Sequence, residues 1–99
     1  MITVVRTINV QQGQQEAAIA WVNKMAAYIK ETYPPVQPSI VRNLSGAVNQ
    51  LHWIVNWESL SAWEKHREKL AQDPKFHQIA AENKGLFVST TDNLYETVV

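Results

Sequence analysis

Along this 99-residue chain the spacing of apolar residues switches between alternation and a helical period, and the switches mark out its elements. Ile2, Val4, Ile8 and Val10 alternate with Thr3, Val5, Thr7 and Asn9, which predicts a first strand broken by Gln11-Gln12-Gly13. From Gln14 to Thr32 the residues Ala18, Val22, Met25 and Ile29 recur at helical spacing, with Trp21 and Tyr28 one step round. Pro34-Pro35 and Pro38 end that helix, since proline lacks an amide donor and bars its predecessor from helical angles. A short second strand is expected from Ile40 to Leu44, followed by a turn over Ser45-Gly46-Ala47-Val48-Asn49.

The third strand, Gln50 to Glu58, aligns Leu51, Trp53, Val55 and Trp57 on one face. It runs almost without a loop into a second helix, opened by Ser59 or by Ser61, the latter with Glu64 in capping-box position. Leu60, Trp63, Arg67 and Leu70 mark the inward face of that helix, the stem of Arg67 packing while its charge reaches water. Asp73-Pro74 then supplies a cap and a first-turn proline for a bent or second helical segment carrying Phe76, Ile79 and Ala80, with Gly85 as its stop. Asn93 to Val99 alternates again as a fourth strand. The order β-α-β-β-α-β predicts one α+β domain over residues 1–99, a ferredoxin-like fold with two helices on one face of a four-stranded antiparallel sheet.

Composition sharpens this picture. Four Trp, three Tyr and two Phe are a heavy aromatic load for a core this small, so some rings must be partly exposed, covered by a ligand or covered by another subunit. Two helices cover one face of a four-stranded sheet and no more. On the other face Val5 and Ile54 stand among small polar residues, which suits a homodimer contact better than a solvated sheet in a monomer. Nine basic residues balance nine acidic ones, leaving no field to draw in nucleic acid or an anionic membrane surface. With no Cys, disulfides and thiol chemistry are excluded. The first strand starts almost at Met1 and no apolar run approaches bilayer length, so a cytoplasmic protein is expected.

The stretch Trp57-Glu58-Ser59-Leu60-Ser61-Ala62-Trp63-Glu64-Lys65-His66, continued by Leu70-Ala71-Gln72-Asp73-Pro74-Lys75-Phe76, resembles the dimeric α/β-barrel superfamily. Within it, the NIPSNAP-like and antibiotic-biosynthesis-monooxygenase-like branches are the most similar. The resemblance implies a homodimer whose two sheets form a barrel, with any small-molecule cleft between each sheet and its helices. One branch degrades haem with an Asn on the first strand, a Trp ending the third and a His on the second helix. Here Trp57 matches the Trp, but Arg6 stands at the Asn position and Ala80 at the His position, so the resemblance does not extend to haem and no cofactor is expected. Cofactor-free quinone monooxygenases use an Asn and a Trp in a similar cleft, and of these Trp57 alone is matched.

Arg6 is the sharpest chemical anomaly, a guanidinium among Val4, Ile8 and Val10 on the core-facing side. It is either an anchor for a carboxylate or enolate in the cleft, or one half of an ion pair with Glu58, Glu16 or Glu96, or an edge residue whose head snorkels to water. His66 either faces the cleft or decorates an exposed helix surface. Trp57 and Trp21 are candidates for cleft exposure, whereas Trp53 and Trp63 are expected in the core; Tyr28 and Tyr33 lie at the cleft mouth or face solvent. His66 and His77 are too far apart to share a metal, and no metal-binding spacing occurs. Three functions stay open: a binder of a small apolar or aromatic molecule with a cleft bounded by Arg6, Trp21, Trp57 and His66; a cofactor-free monooxygenase-like enzyme; or a non-enzymatic dimer without a ligand.

Overall fold

In a computed structural model spanning Met1–Val99, strand β1 (Ile2–Val10) leads through a turn at Gly13 into helix α1 (Gln15–Thr32). There follow β2 (Ser39–Arg42), β3 (Gln50–Trp57), α2 (Leu60–Ala71), α3 (Pro74–Ala80), a 3-10 turn over Ala81–Asn83 and β4 (Phe87–Glu96). Gly13 adopts φ +82, a left-handed angle that only glycine reaches without strain. The strands are antiparallel in the order β2-β3-β1-β4, so β1 and β3 are central and β2 and β4 form the edges. This is the ferredoxin-like α+β arrangement. No helix is long and apolar enough to cross a membrane.

Two strands depart from expectation. β4 starts at Phe87 rather than Asn93, because Val88 to Asn93 is exposed on both faces and carries no apolar alternation to read. Val98 and Val99 lie beyond the sheet, whose last link there is Thr97 N–H donating to the Met1 carbonyl at 3.0 Å. A bulge at Val88 shifts the β1–β4 register between Asn9 and Val10. β2 ends at Arg42 rather than Leu44, where its register against Leu51–Ile54 of β3 runs out.

α1 seats closely on the sheet. Ala18, Val22, Met25 and Ile29 are all buried, at the helical spacing the sequence shows. The core divides into two clusters, one of Ile8, Val10, Ala18, Val22 and Leu51, the other of Met25, Ile29, Val36, Val55 and Ile79. Trp21 packs against both. α2 behaves differently: it has no fully buried residue, and Leu60, expected inward, is 47% exposed. Ser59 rather than Ser61 opens it, its Oγ accepting from Ala62 N–H at 3.1 Å.

Asp73 ties the helices together. Its Oδ1 accepts from the backbone N–H of Lys75 and Phe76, capping α3, and Pro74 fills the first turn where no donor is needed. Its Oδ2 accepts from the hydroxyls of Tyr28 at 2.5 Å and Tyr33 at 2.7 Å. The two phenols that might have faced solvent are therefore spent on one carboxylate. These hydrogen bonds hold the Asp73 carboxyl down at about 2 and push the Tyr33 phenol up to about 12.

Leu51 is 1% exposed, and Leu51→Ala is expected to cost about 2–5 kcal/mol in denaturant unfolding, with the slope unchanged. The Asp73 clamp gives stability a defined pH dependence. A depressed carboxyl stabilises the fold above its ordinary value of 3.8 and loses that contribution as pH falls toward about 2. A raised phenol stabilises below its ordinary 10.0 and loses its contribution as pH rises toward about 12. Melting temperature measured across pH should accordingly fall off in both windows, and Asp73→Ala should flatten both shoulders as it lowers the plateau.

Candidate functional site

Between the inner sheet face and the helices lies a cavity of about 260 Å³. The helical cover is uneven in burial: α1 buries Ala18, Val22, Met25, Ala26 and Ile29, whereas α2 has no buried residue and turns Trp63, His66, Arg67 and Leu70 to the cavity. The inner side chains of β1 and β3 form its floor, with Thr90 and Asp92 of β4 at one side. Trp63, His66, Arg67 and Leu70 hang from α2, and Phe76 closes it from α3.

All four candidate residues, Arg6, Trp21, Trp57 and His66, line this cavity. Trp21 has a structural job as well. Its Nε1–H donates to the Ile79 carbonyl at 2.8 Å, joining α1 to α3, and its ring meets Phe87 edge-on at 5.2 Å. Trp57, ending β3, lies 5.0 Å from the His66 ring at a 39° tilt. Its Nε1–H is enclosed and finds no acceptor, an arrangement that costs about 1–3 kcal/mol for such a donor. His66 stands edge-on to Tyr33 at 5.2 Å, so Asp73, Tyr33, His66 and Trp57 form a continuous line from the helix clamp to the cavity. Burial lowers the His66 pKa, with Lys69 adding in the same direction, so the imidazole is neutral near pH 7.

Arg6 faces inward with Val4 and Ile8, yet it is not buried: its side chain is 51% exposed. Its Nε and Nη2 donate to Asp92 Oδ1 and Oδ2 at 2.7 and 2.9 Å, a two-point pairing. The partner is thus Asp92, not Glu58, Glu16 or Glu96, because the β1–β4 register sets Asp92 directly opposite Arg6. Hydrogen bonding to Arg6 holds the Asp92 carboxyl below its usual range, with a further contribution from Arg67. A pair this exposed adds only about 0–1 kcal/mol to stability, so its place in the cavity wall is the more informative fact.

Trp53 and Trp63, expected in the core, are both half-buried and line the cavity; Trp53 also packs against the Met25, Ile29 and Val55 cluster, whereas Trp63 joins neither core cluster. Arg67 and Asp92 were not legible as site residues. Arg67 reads in sequence as a packing stem, and its guanidinium does lie over the Trp63 indole, 4.8 Å from the ring centroid. Asp92 becomes visible only once the extent and register of β4 are known. His66 is the one imidazole in the lining, and Ala80 presents only a methyl group at the position where the haem-degrading branch carries its His. No group of three or more His, Cys, Asp or Glu side chains converges anywhere in the chain.

The fold recurs in solved structures. An uncharacterised NIPSNAP domain protein from Burkholderia xenovorans superimposes with a TM-score of 0.87 at 16% identity, covering 99% of this chain and 95% of that one. A NIPSNAP family protein of unknown function from Agrobacterium tumefaciens gives 0.83 at 17% identity, covering 98% and 87%. A structure from Deinococcus radiodurans, assigned as a candidate antibiotic biosynthesis monooxygenase, gives 0.73 at 17% identity, covering 98% and 92%. At these identities the likeness is one of fold. No curated protein matches the sequence significantly. The NIPSNAP family model, however, matches residues 4–97, all of the sheet but the first two residues of β1 and every helix around the cavity, and the chain belongs to the NIPSNAP family.

Proposed function

We propose that this NIPSNAP protein is a homodimer that binds a small, planar apolar or aromatic molecule between each sheet and its helices. The binding half rests on one observation: a cavity of about 260 Å³ with indoles on both walls, Trp53 and Trp57 from the sheet and Trp63 from α2. Ligand pockets for drug-sized molecules run from about 300 Å³ upward, so the occupant is a small one, on the order of two or three fused rings. Flat rings between indoles bury apolar area and gain stacking geometry together.

The dimer half rests on the opposite sheet face. Its side chains are the alternate residues starting at Thr3, Ser39, Gln50 and Ser89, and none is Asp, Glu, Lys or Arg. A face meant for water normally carries charge, and all 18 charged side chains of this chain lie elsewhere. Several polar groups on this face are hydrogen-bonded to one another. Thr7 Oγ1 and His52 Nδ1 share a hydrogen bond and His52 Nε2 donates to Asn43 Oδ1; Asn43 Nδ2 donates to Gln50, Gln50 to Asn9, and Asn9 to Ser89. His52 Nε2 must be the donor in this chain, because the Asn43 Oδ1 it meets can only accept. Groups satisfied in this way lose little when a second copy displaces water from them. Val5, Ile54, Val41 and Tyr95 supply the apolar contacts, and a face identical in both partners is what a two-fold contact needs.

A second reading is cofactor-free monooxygenase chemistry, and His66 is what favours it. A neutral imidazole beside Trp57 can accept the proton of an acidic C–H or phenol, after which the substrate anion itself passes an electron to dioxygen.

Sedimentation at micromolar concentration should give twice the 11.3 kDa chain mass, and Ile54→Lys should bring it down to one chain without unfolding. A wild-type protein that stays monomeric at high concentration rules out the dimer. Calorimetric titration with a neutral two-ring aromatic such as 2-naphthamide should show saturable binding, weakened about five- to tenfold in Trp57→Leu. For the oxidative reading, oxygen uptake with a naphthohydroquinone should exceed the protein-free rate and vanish in His66→Ala; uptake equal to background discards that reading alone.

A further inference from the structure

The electrostatics of the cavity single out one end of it. The charged side chains in its lining are Arg6 of β1, Asp92 of β4 and Arg67 of α2, against an otherwise apolar or neutral wall. Asp92 engages Arg6 through both its oxygens, leaving Arg6 Nη1 without a carboxylate. Arg67 has no carboxylate within 4.0 Å, the ion pairs of the chain being Arg6–Asp92 and Lys24–Glu82. Its guanidinium rests on the Trp63 face, which fixes the plane of the fork while leaving the N–H edges free. Two cations facing one anion leave a net charge of +1 in the lining. His66 does not alter that balance, because burial keeps its imidazole neutral near pH 7.

Arg67 is exposed and in no ion pair and Arg6 is about half exposed, so both guanidinium edges are open to an anion that enters the cavity. We infer that the molecule bound here is a planar aromatic monoanion, a carboxylate or an enolate, whose charged group lies between Arg67 and the free edge of Arg6 while its ring system lies among the indoles. Arg67 is then the residue that selects acid over neutral ligand. The Arg6–Asp92 pair is a platform: Asp92 holds Arg6 in position and limits the site to a single negative charge. The inference rests on the cavity being a small-molecule site, and adds to it the charge class of the occupant.

The test compares 2-naphthoate with its neutral isostere 2-naphthamide by calorimetric titration of the full chain. Wild type should bind the acid about tenfold more tightly, equivalent to about 1.4 kcal/mol, and added salt should weaken the acid but not the amide. Arg67→Met, which keeps the apolar stem, should bring the acid down to the level of the amide and leave the amide unchanged; Arg67→Lys should restore part of the difference. Asp92→Asn removes the competing anion and should strengthen acid binding. Equal affinities for acid and amide in wild type, with Arg67→Met changing neither, would overturn the monoanion inference and leave the cavity reading standing. Absence of binding by both would remove the cavity reading and this inference with it.

Discussion

One carboxylate organises the helical layer. Asp73 sits where α2 has ended and α3 has not begun, and it receives four hydrogen bonds from two directions: two backbone amides of α3 and two phenols at the C-terminal end of α1. The chain must turn at Pro74, and the turn is held to α1 rather than left to pack wherever apolar area is available. α3 is held close, with Ile79 buried and its carbonyl accepting from the Trp21 indole, whereas α2 has no buried residue.

The two faces of the sheet meet the same difficulty in different ways. The inner face has more area than α1 and α3 can cover closely, and α2 roofs the remainder over large side chains, leaving a void. Empty apolar volume forfeits dispersion contacts, so the void is a place where an added molecule gains energy. The outer face has polar groups that would be expensive to desolvate singly, and the chain links them into a network that spans β1, β3, β4 and the end of β2. Only 13 of 99 residues are buried, so the fold by itself leaves much apolar surface in contact with water.

Much of this was legible before any coordinates. Alternation of Leu51, Trp53, Val55 and Trp57 gave β3 its inner face, the spacing of Ala18, Val22, Met25 and Ile29 gave α1 its seat, and Asp73-Pro74 announced the break. Each of these segments is buried on one side only, the condition under which a period appears in sequence. β4 failed that condition, being exposed along nearly all its length, and its true start at Phe87 was hidden. The site inherited the same blind spot. Arg6 stood out as a charge in an apolar run, but its partner Asp92 belongs to the unread strand, and the degree to which α2 lifts off the sheet has no local signature.

The bulge at Val88 bears on how such chains avoid sticking together in the wrong way. An edge strand with unpaired amides along ten residues is a template on which another extended chain can grow. β4 interrupts that template near its start with the extra residue and carries Asp92 toward the interior side, where an added strand would have to bring its own charge. The other edge, β2, is only four residues long. Both margins of the sheet thus discourage lateral extension into fibrillar stacks.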